Sequence, residues 1–359
     1  MNYRRATILS EKTLDESGIE TIPIRVQKPI SRIDILFRVT KGGNTMASQA
    51  AFDVSKIELV DGSNVLHGLS GLVNQGLCIY DRRVPTMSHG QHMGGNSEVS
   101  IFGIDFGRHL WDPELALVPG NFQNLQLKVT YSRILVDTAG SACYMAVIAH
   151  IFDEKVISPV GFLMSKEVVD QLNPANDVYK YIDLPTDFPI RKIILRAEED
   201  GYEPWTCIEG FRIDEDNEAR IPFDSDMEEY YRINKHNMVR VIEPFLGPGL
   251  VAGRTFYVTP TCYMSQVICL PVGALEDSSI GLTCKGGKAT VYSAGDSTNM
   301  GIAQGYLPNH CFEIPFGLQD DLNDWYDVSK VGDLRARVRG GAAGAAGTHQ
   351  IALQQLRRY

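Results

Sequence analysis

The sequence of 359 residues predicts an all-β protein: two tandem sandwiches or jelly-roll β-barrels with short flanking helices and a loop insertion in the second. Three observations carry that prediction. Apolar and polar residues alternate with period two in several runs, as strands with one buried face require. Glycine- and proline-rich turn signals separate those runs. Four short patterns recur in the same order in the two halves of the chain. A hydrophobic content of 44% supplies the apolar material for sizeable cores, and the length is that of roughly two domains.

In chain order, the first clear strand places Ile33, Ile35, Phe37 and Val39 on one face and Arg32, Asp34, Leu36 and Arg38 on the other, with Leu36 the exception to the polarity. Lys41-Gly42-Gly43-Asn44 and Asp61-Gly62 are turns. Leu66, Leu69, Val73 and Leu77 share one helical face, although Gly68, Gly71 and Gly76 lower the helical propensity there. After the turn Pro119-Gly120-Asn121, Leu125, Leu127, Val129 and Tyr131 restore the strand alternation. Asn173-Pro174-Ala175-Asn176 interrupts the pattern within residues 165–183, which reads as a linker. Asp224 to Asn234 opens with cap residues and acidic side chains that suit a helix N-terminus. Pro315 points to an edge or strand-end position. Arg339 to Gly347 (RGGAAGAAG) reads as a flexible loop, because Ile351, Leu353 and Leu356 resume the apolar pattern after it.

The repeat fixes the layout. Pro29–Ile33 is echoed by Pro189–Ile193, and Lys56–Asp61 by Gly210–Glu215. Phe102–Gly107 is echoed by Phe312–Gly317, and Leu125–Val129 by Leu334–Val338. Ile57 to Ile104 is 104 − 57 = 47 residues, whereas Phe211 to Ile314 is 314 − 211 = 103, so the second copy holds 103 − 47 = 56 more. The surplus is best placed at Pro244–Pro308, a segment rich in Gly, Thr, Tyr and Val that should form short strands of its own. The expected division is an N-terminal arm at 1–20, a first jelly roll at 21–164, a linker at 165–183 and a second jelly roll at 184–359 with the insertion near 244–308.

Composition and motifs argue against several function classes. A net charge of 34 − 44 = −10 argues against a protein that coats nucleic acid. Thr255 to Leu275 is free of charge, but Pro260, Pro271 and Gly273 make it strands and turns and not a membrane helix. Arg4 and Arg5 are followed by no apolar segment, so no export signal is expected. Seven cysteines without a C-x-x-C pair fit free thiols in a reducing compartment. The glycines at 281, 286 and 287 before Lys288 lack the Lys and hydroxyl positions of a phosphate-binding loop and read as a turn. Gly247, Gly249 and Gly253 miss the dinucleotide fingerprint by one residue. His89 and His92 with Met87 and Met93 give too few ligands for a soft metal. The acidic groups at 214–218, 224–229 and Asp320, Asp321, Asp324 lack the spacing of a calcium loop. There is no G-x-S-x-G elbow; Cys78 and Cys143 sit in apolar contexts, and Tyr230 and Tyr231 read as packing residues. No catalytic, cofactor-binding or metal-ligating residue, and no cofactor, is predicted, and the chain is not expected to be an enzyme.

The run from Ile30 to Tyr80, with SRIDILFRVTKGG and then SKIELVDGSNVLHGLSG, resembles the N-terminal domain of the major coat proteins of tailless, lipid-containing bacteriophages. The duplicated layout is similar to that of the double jelly-roll capsid lineage as a whole. The specific match covers roughly the first 150 residues; internal duplication extends it to the rest. The resemblance implies two jelly rolls side by side, a homotrimeric pseudo-hexagonal capsomer and an icosahedral virion shell. The partners it implies are further copies of the chain, neighbouring capsomers and penton or other minor capsid proteins. A membrane or another layer would then separate the shell from the genome, with no direct nucleic-acid contact. Synthesis and assembly are expected in the host bacterial cytoplasm. The arm with Arg4 and Arg5 is expected to reach a neighbouring capsomer or anionic headgroups. The alternatives are a carbohydrate-binding or glycan-cleaving β-sandwich, for which Trp111, Trp205 and Trp325 are too scattered to form a platform, and a minor vertex or receptor-binding virion protein.

Overall fold

The computed structural model describes residues 1–84, 88–91, 93–248, 253–267, 281–292, 298–343 and 346–359. The first half runs β1 (Tyr3–Leu14), β2 (Ser17–Pro23), β3 (Ile30–Thr40), β4 (Val54–Asp61), β5 (Asn64–Leu69), helix α1 (Gly71–Arg82), β6 (Ser88–Gln91), β7 (Ser97–Asp105), β8 (Leu125–Ser132) and β9 (Ala142–Phe152). The second runs β10 (Gly161–Leu172), β11 (Tyr179–Asp183), β12 (Ile190–Glu198), a single turn α2 (Pro204–Cys207), β13 (Ile208–Glu215), β14 (Arg220–Asp226) and α3 (Met227–Asn234). It then carries an insertion and closes with β21 (Cys311–Pro315), β22 (Leu334–Gly340) and β23 (Thr348–Arg358). The insertion consists of β15 (Val241–Pro248), β16 (Arg254–Tyr257), β17 (Cys262–Val267), β18 (Gly281–Lys285), β19 (Lys288–Tyr292) and β20 (Thr298–Tyr306).

Strand order makes each half a jelly roll. In the first, β1-β9-β3-β7 faces β2-β8-β4-β5; in the second, β10-β23-β12-β21 faces β11-β22-β13-β14. The two orders are the same strand for strand once β6 and the insertion are set aside. The four sequence echoes fall on equivalent strands: β3 with β12, β4 with β13, β7 with β21, and β8 with β22. Alternation explains why these strands form here. Along β8 every second residue (Leu125, Leu127, Val129, Tyr131) is buried, and along β22 so are Leu334, Ala336 and Val338. Each set points into its own core, one around Ile35, Phe102 and Val147, the other around Ile193, Phe211 and Leu353. Pro315 ends β21, an outer strand of its sheet, where the missing N–H costs no ladder bond.

Two expectations are corrected. Residues 1–20 are no arm: β1 pairs antiparallel with β9 from Tyr3–Phe152 to Leu14–Cys143, and Arg4 bonds Asp153 at 3.2 Å. The edge of β9 needs a partner for its backbone groups, and β1 supplies it while burying little beyond Ala6 and Leu14. Residues 165–183 are no linker either, since β10 pairs with β23 over its whole length and β11 pairs with β22. Only 173–178, around Asn173-Pro174, is turn.

The barrels are joined through one shared sheet. β5 pairs in parallel with β10 (His67–Ser165, Gly68–Lys166), so one sheet of the first barrel continues into one of the second. The insertion leaves the second barrel after α3, and β15 pairs with β6, which pairs with β7. Gly286 and Gly287 form the two-residue turn between β18 and β19 with φ of +52° and +73°, a left-handed pair that glycine adopts without strain. The phosphate-loop likeness is thus a hairpin.

Candidate functional site: the seam between the barrels

Charged, polar and apolar groups converge where α1 is trapped between the barrels. Every residue from Gly71 to Tyr80 is buried. Leu77, Tyr80 and their neighbours pack with Ile194 on β12, Cys311 on β21 and Ala352 on β23. The glycines that weakened the helical reading are required by this packing. A Cβ at Gly76 would lie 2.8 Å from the Cys311 sulfur, and one at Gly71 would lie 2.2 Å from the Val54 carbonyl oxygen.

Polar side chains of α1 serve the strand edges on both sides. Asn74 donates to the Gly103 carbonyl at 2.9 Å and accepts from the Gly103 N–H at 3.1 Å, standing in for a neighbouring strand on β7. Its amide nitrogen also lies 3.1 Å from His67 Nε2. With Asn74 the donor, the imidazole is the neutral acceptor, and burial pushes its pKa down to about 3. Tyr80 Oη donates to the Cys311 carbonyl at 2.7 Å.

The last turn of α1 divides its charges between the barrels. Asp81 accepts from Arg191 at 2.9 Å, Lys192 at 2.8 Å and Gln354 at 2.7 Å, all on the second barrel. Arg82 turns back to Asp105 at 2.8 Å and Asp34 at 2.9 Å on the first. Lys192 also pairs with Glu313, and Arg32 with Asp105. Burial would raise the Asp81 carboxyl, but Lys192 and Arg191 outweigh it and hold it well below the ordinary carboxylate range. Asp34 is likewise lowered: burial opposes ionisation, and the hydrogen bond from His150 and the charge of Arg82 overcome it.

Asp34 and Asp81 also line a cleft of about 580 Å³ on the outer face of the first barrel. Glycan hydrolysis needs one carboxyl held protonated as the acid. Both of these are held ionised. The other singled-out residues are dispersed. Cys78 and Cys143 are buried thiols pushed up to about 12 and about 11 by desolvation, the opposite of an activated nucleophile. Tyr230 and Tyr231 pack on the second core, Tyr231 stacked on Trp205. Asp214 is tied to Arg212 and Arg337; Asp321 and Asp324 accept backbone N–H groups in a turn. Trp111 packs on Tyr3 and Phe152, and Trp325 is buried. The side chains of His89 and His92, with Met87, lie outside the described residues, as do those of Cys262, Cys269 and Cys284. Among the described residues no group of three His, Cys, Asp or Glu is placed to hold a metal ion, and no helix is long and apolar enough to cross a membrane.

The seam residues were not singled out from sequence. Asp81 is an isolated charge in the sequence, and Arg191 and Lys192 enter the sequence reading only as part of the Pro189–Ile193 echo.

This combination defines a double jelly roll: two barrels of one topology, joined by one continuous sheet and a buried helix. No family model and no curated protein matches the sequence. Solved structures do match across nearly its whole length. The MCP of Sulfolobus Turreted Icosahedral Virus aligns at TM-score 0.59 and 9% identity over 99% of this chain and 96% of that one. Major capsid protein P2 of bacteriophage PM2 aligns at 0.57 and 9% identity over 99% and 98%. VP54 of PBCV-1 aligns at 0.61 and 10% identity over 99% and 94%. At such identities the likeness establishes the fold, the double jelly roll shared by these capsid proteins.

Proposed function

We propose that this chain is a major capsid protein whose homotrimer forms a pseudo-hexagonal capsomer of an icosahedral shell. The observation that carries the reading is the duplicated topology held side by side by the sealed seam. Three such chains present six similar bodies, so one gene product can tile hexagonal positions. The chain length shared with capsid proteins over 94–98% of theirs supports it. Its partners in this reading are neighbouring capsomers, penton or other minor capsid proteins, and a membrane or second layer inside the shell. The net charge of −10 supports a protein that does not touch the genome. Buried thiols at Cys78, Cys143, Cys207 and Cys311, none of them in a disulfide, support synthesis in a reducing host cytoplasm. We place the boundary between the barrels at residues 153–160, between β9 and β10.

Electron microscopy of the purified full-length chain tests the reading. Six-lobed tiles with threefold symmetry are expected. Stable single chains that hydrolyse a glycan would overturn it, and assembly into particles at only a few copies would reassign it to a vertex or receptor-binding role.

A further inference from the structure

We infer that Lys41 and Asp53 become covalently joined in the folded chain, their side chains condensing to an amide with Glu98 as the proton carrier. The bond would staple the two facing sheets of the first barrel from within.

Lys41 stands in a glycine-rich turn of the sequence, where a lysine is ordinarily solvated. The fold places it inside. Ile33, Ile35, Phe37 and Val39 point inward along β3, and Lys41 takes the next inward position as the strand ends. Its backbone is fixed there, donating to the Asn96 carbonyl at 2.8 Å and accepting from the Gly95 N–H at 2.7 Å. Glu98 lies opposite Val39 on β7 and is buried with the inward residues of that strand. Asp53 closes the 3-10 turn Ala50–Asp53 that leads into β4, a strand of the facing sheet. The Lys41 ammonium thus meets Glu98 at 2.6 Å and Asp53 at 3.8 Å, and none of the three side chains is more than 4% exposed.

Three features separate this cluster from an ordinary buried ion pair. Two carboxyls share one ammonium. Burial pushes Asp53 up to about 7, with Glu98 and Asp137 adding to the effect and Lys41 and the Val136 hydrogen bond opposing it. Much of Asp53 is therefore the neutral acid near pH 7, whose hydroxyl can leave as water. Asp137 itself is taken up by the N–H groups of Gly42 and Gly43 at 2.9 and 3.0 Å. Next, Asp53 Oδ1 accepts from the Val136 N–H at 2.9 Å, a donor placed to hold the oxyanion that attack on the carboxyl carbon creates. Lastly, an amine 3.8 Å from Oδ2 is a small side-chain shift from the ~3–3.5 Å near-attack range for Cγ.

The step needs no added reagent. Glu98 takes a proton from the Lys41 ammonium, and the freed lone pair forms the Nζ–Cγ bond. Glu98 then hands that proton to the Asp53 hydroxyl, which leaves as water as the Cγ–Oδ2 bond breaks. The carboxylate finally takes a proton from the new nitrogen. An ammonium, a neutral carboxyl and a carboxylate have become an amide, a water and a protonated Glu98. The product removes a buried ammonium and its carboxylate partner, which are costly to keep out of water.

Mass spectrometry of the full chain, purified folded and then denatured, tests the bond. The parent should be lighter than its sequence mass by one water, with the loss confined to residues 39–56. Trypsin should fail to cut after Lys41, and cyanogen bromide cleavage after Met46 should leave 39–46 and 47–56 joined. Glu98→Gln and Asp53→Ala should both keep their full sequence mass, and Glu98→Gln should unfold at a lower temperature than the parent. A parent at full sequence mass after prolonged folded incubation at neutral pH would overturn the inference, and so would a water loss mapped to Glu98. A bond that still forms in Glu98→Gln would overturn the role of Glu98. Should a variant fail to fold, the parent's own peptide map decides. Oligomeric state does not enter the readout, so the result stands apart from the capsomer reading.

Discussion

The interiors of the two barrels and the seam between them are built from different chemistry. Side chains such as Ile35, Phe102 and Val147 fill the first interior, and Ile193, Phe211 and Leu353 the second. The seam also buries apolar residues of α1, but it adds Asp81, Arg191, Lys192 and Glu313, all nearly inaccessible to solvent. An apolar interior tolerates many repackings of similar volume. A buried ionic network tolerates only arrangements that pair every charge. The difference yields a hypothesis: the alternating pattern specifies each barrel, and a few polar residues specify how the two barrels sit together. The tile needs both.

The largest expected effect breaks the seam. Asp81→Ala removes the carboxylate that Arg191 and Lys192 share, leaving two buried cations with Glu313 as the one remaining carboxylate of the network, and should cost about 3–5 kcal/mol in chemical denaturation. Replacing the network jointly, as Asp81→Leu with Lys192→Met, Arg191→Met and Glu313→Leu, should recover much of that loss while loosening the placement of the barrels. If the single change costs under about 1 kcal/mol, the seam charges are not a buried network. Next comes an interior change. Leu195→Ala removes a fully buried side chain of the second core and should cost about 3 kcal/mol by lost transfer energy and cavity formation. It should leave the oligomeric state of the folded protein unchanged, and a change there would blur the distinction between interior and seam.

A smaller effect is expected from Gly76→Ala. The added methyl meets Cys311, and overpacking should cost about 1–3 kcal/mol, although alanine is the better helix former. Stabilisation in a thermal melt would show that α1 is not clamped as described.

The smallest effect per step is a pH response, set by His67 in the seam and Glu167 on β10. His67 has a folded-state pKa of about 3 against 6.5 when unfolded. Below pH 6.5 the unfolded chain takes up a proton that the folded chain refuses, so this group's contribution falls as pH drops from 6.5 toward 3. Glu167, pushed up to about 7 by burial, acts oppositely: the folded carboxyl keeps a proton that the unfolded one releases, so its contribution grows as pH drops from 7 toward 4.5. The parent is therefore flattened between pH 4.5 and 6.5 with respect to this pair. His67→Gln keeps an acceptor for Asn74 and should gain stability relative to the parent by about 1.4 kcal/mol for each pH unit lowered in that window. Glu167→Gln should change the slope with the opposite sign. Parallel denaturation profiles for parent and His67→Gln would contradict the assignment.

The interiors were legible because alternation is written locally: Leu125 to Tyr131 shows its buried face without reference to anything distant. The insertion was legible as a length difference, 103 residues against 47. The first strand was not, because Tyr3–Leu14 is an edge strand that buries only Ala6 and Leu14 and so shows no alternation. Likewise the part of β10 from residue 165 onward reads as linker in the sequence, since Lys166–Leu172 faces partly outward. The seam was the least legible part. Its charged residues match a surface composition, and its glycines count against a helix until Cys311 and Val54 are seen to press on them. Packing that joins residues 110 or more positions apart leaves no periodic trace.

Sedimentation equilibrium on the purified full-length chain tests the central claim, a closed ring of six barrels made from three chains. A single species of three chain masses, unchanged over a hundredfold range of concentration, is the predicted result. A single chain mass across that range would contradict the account.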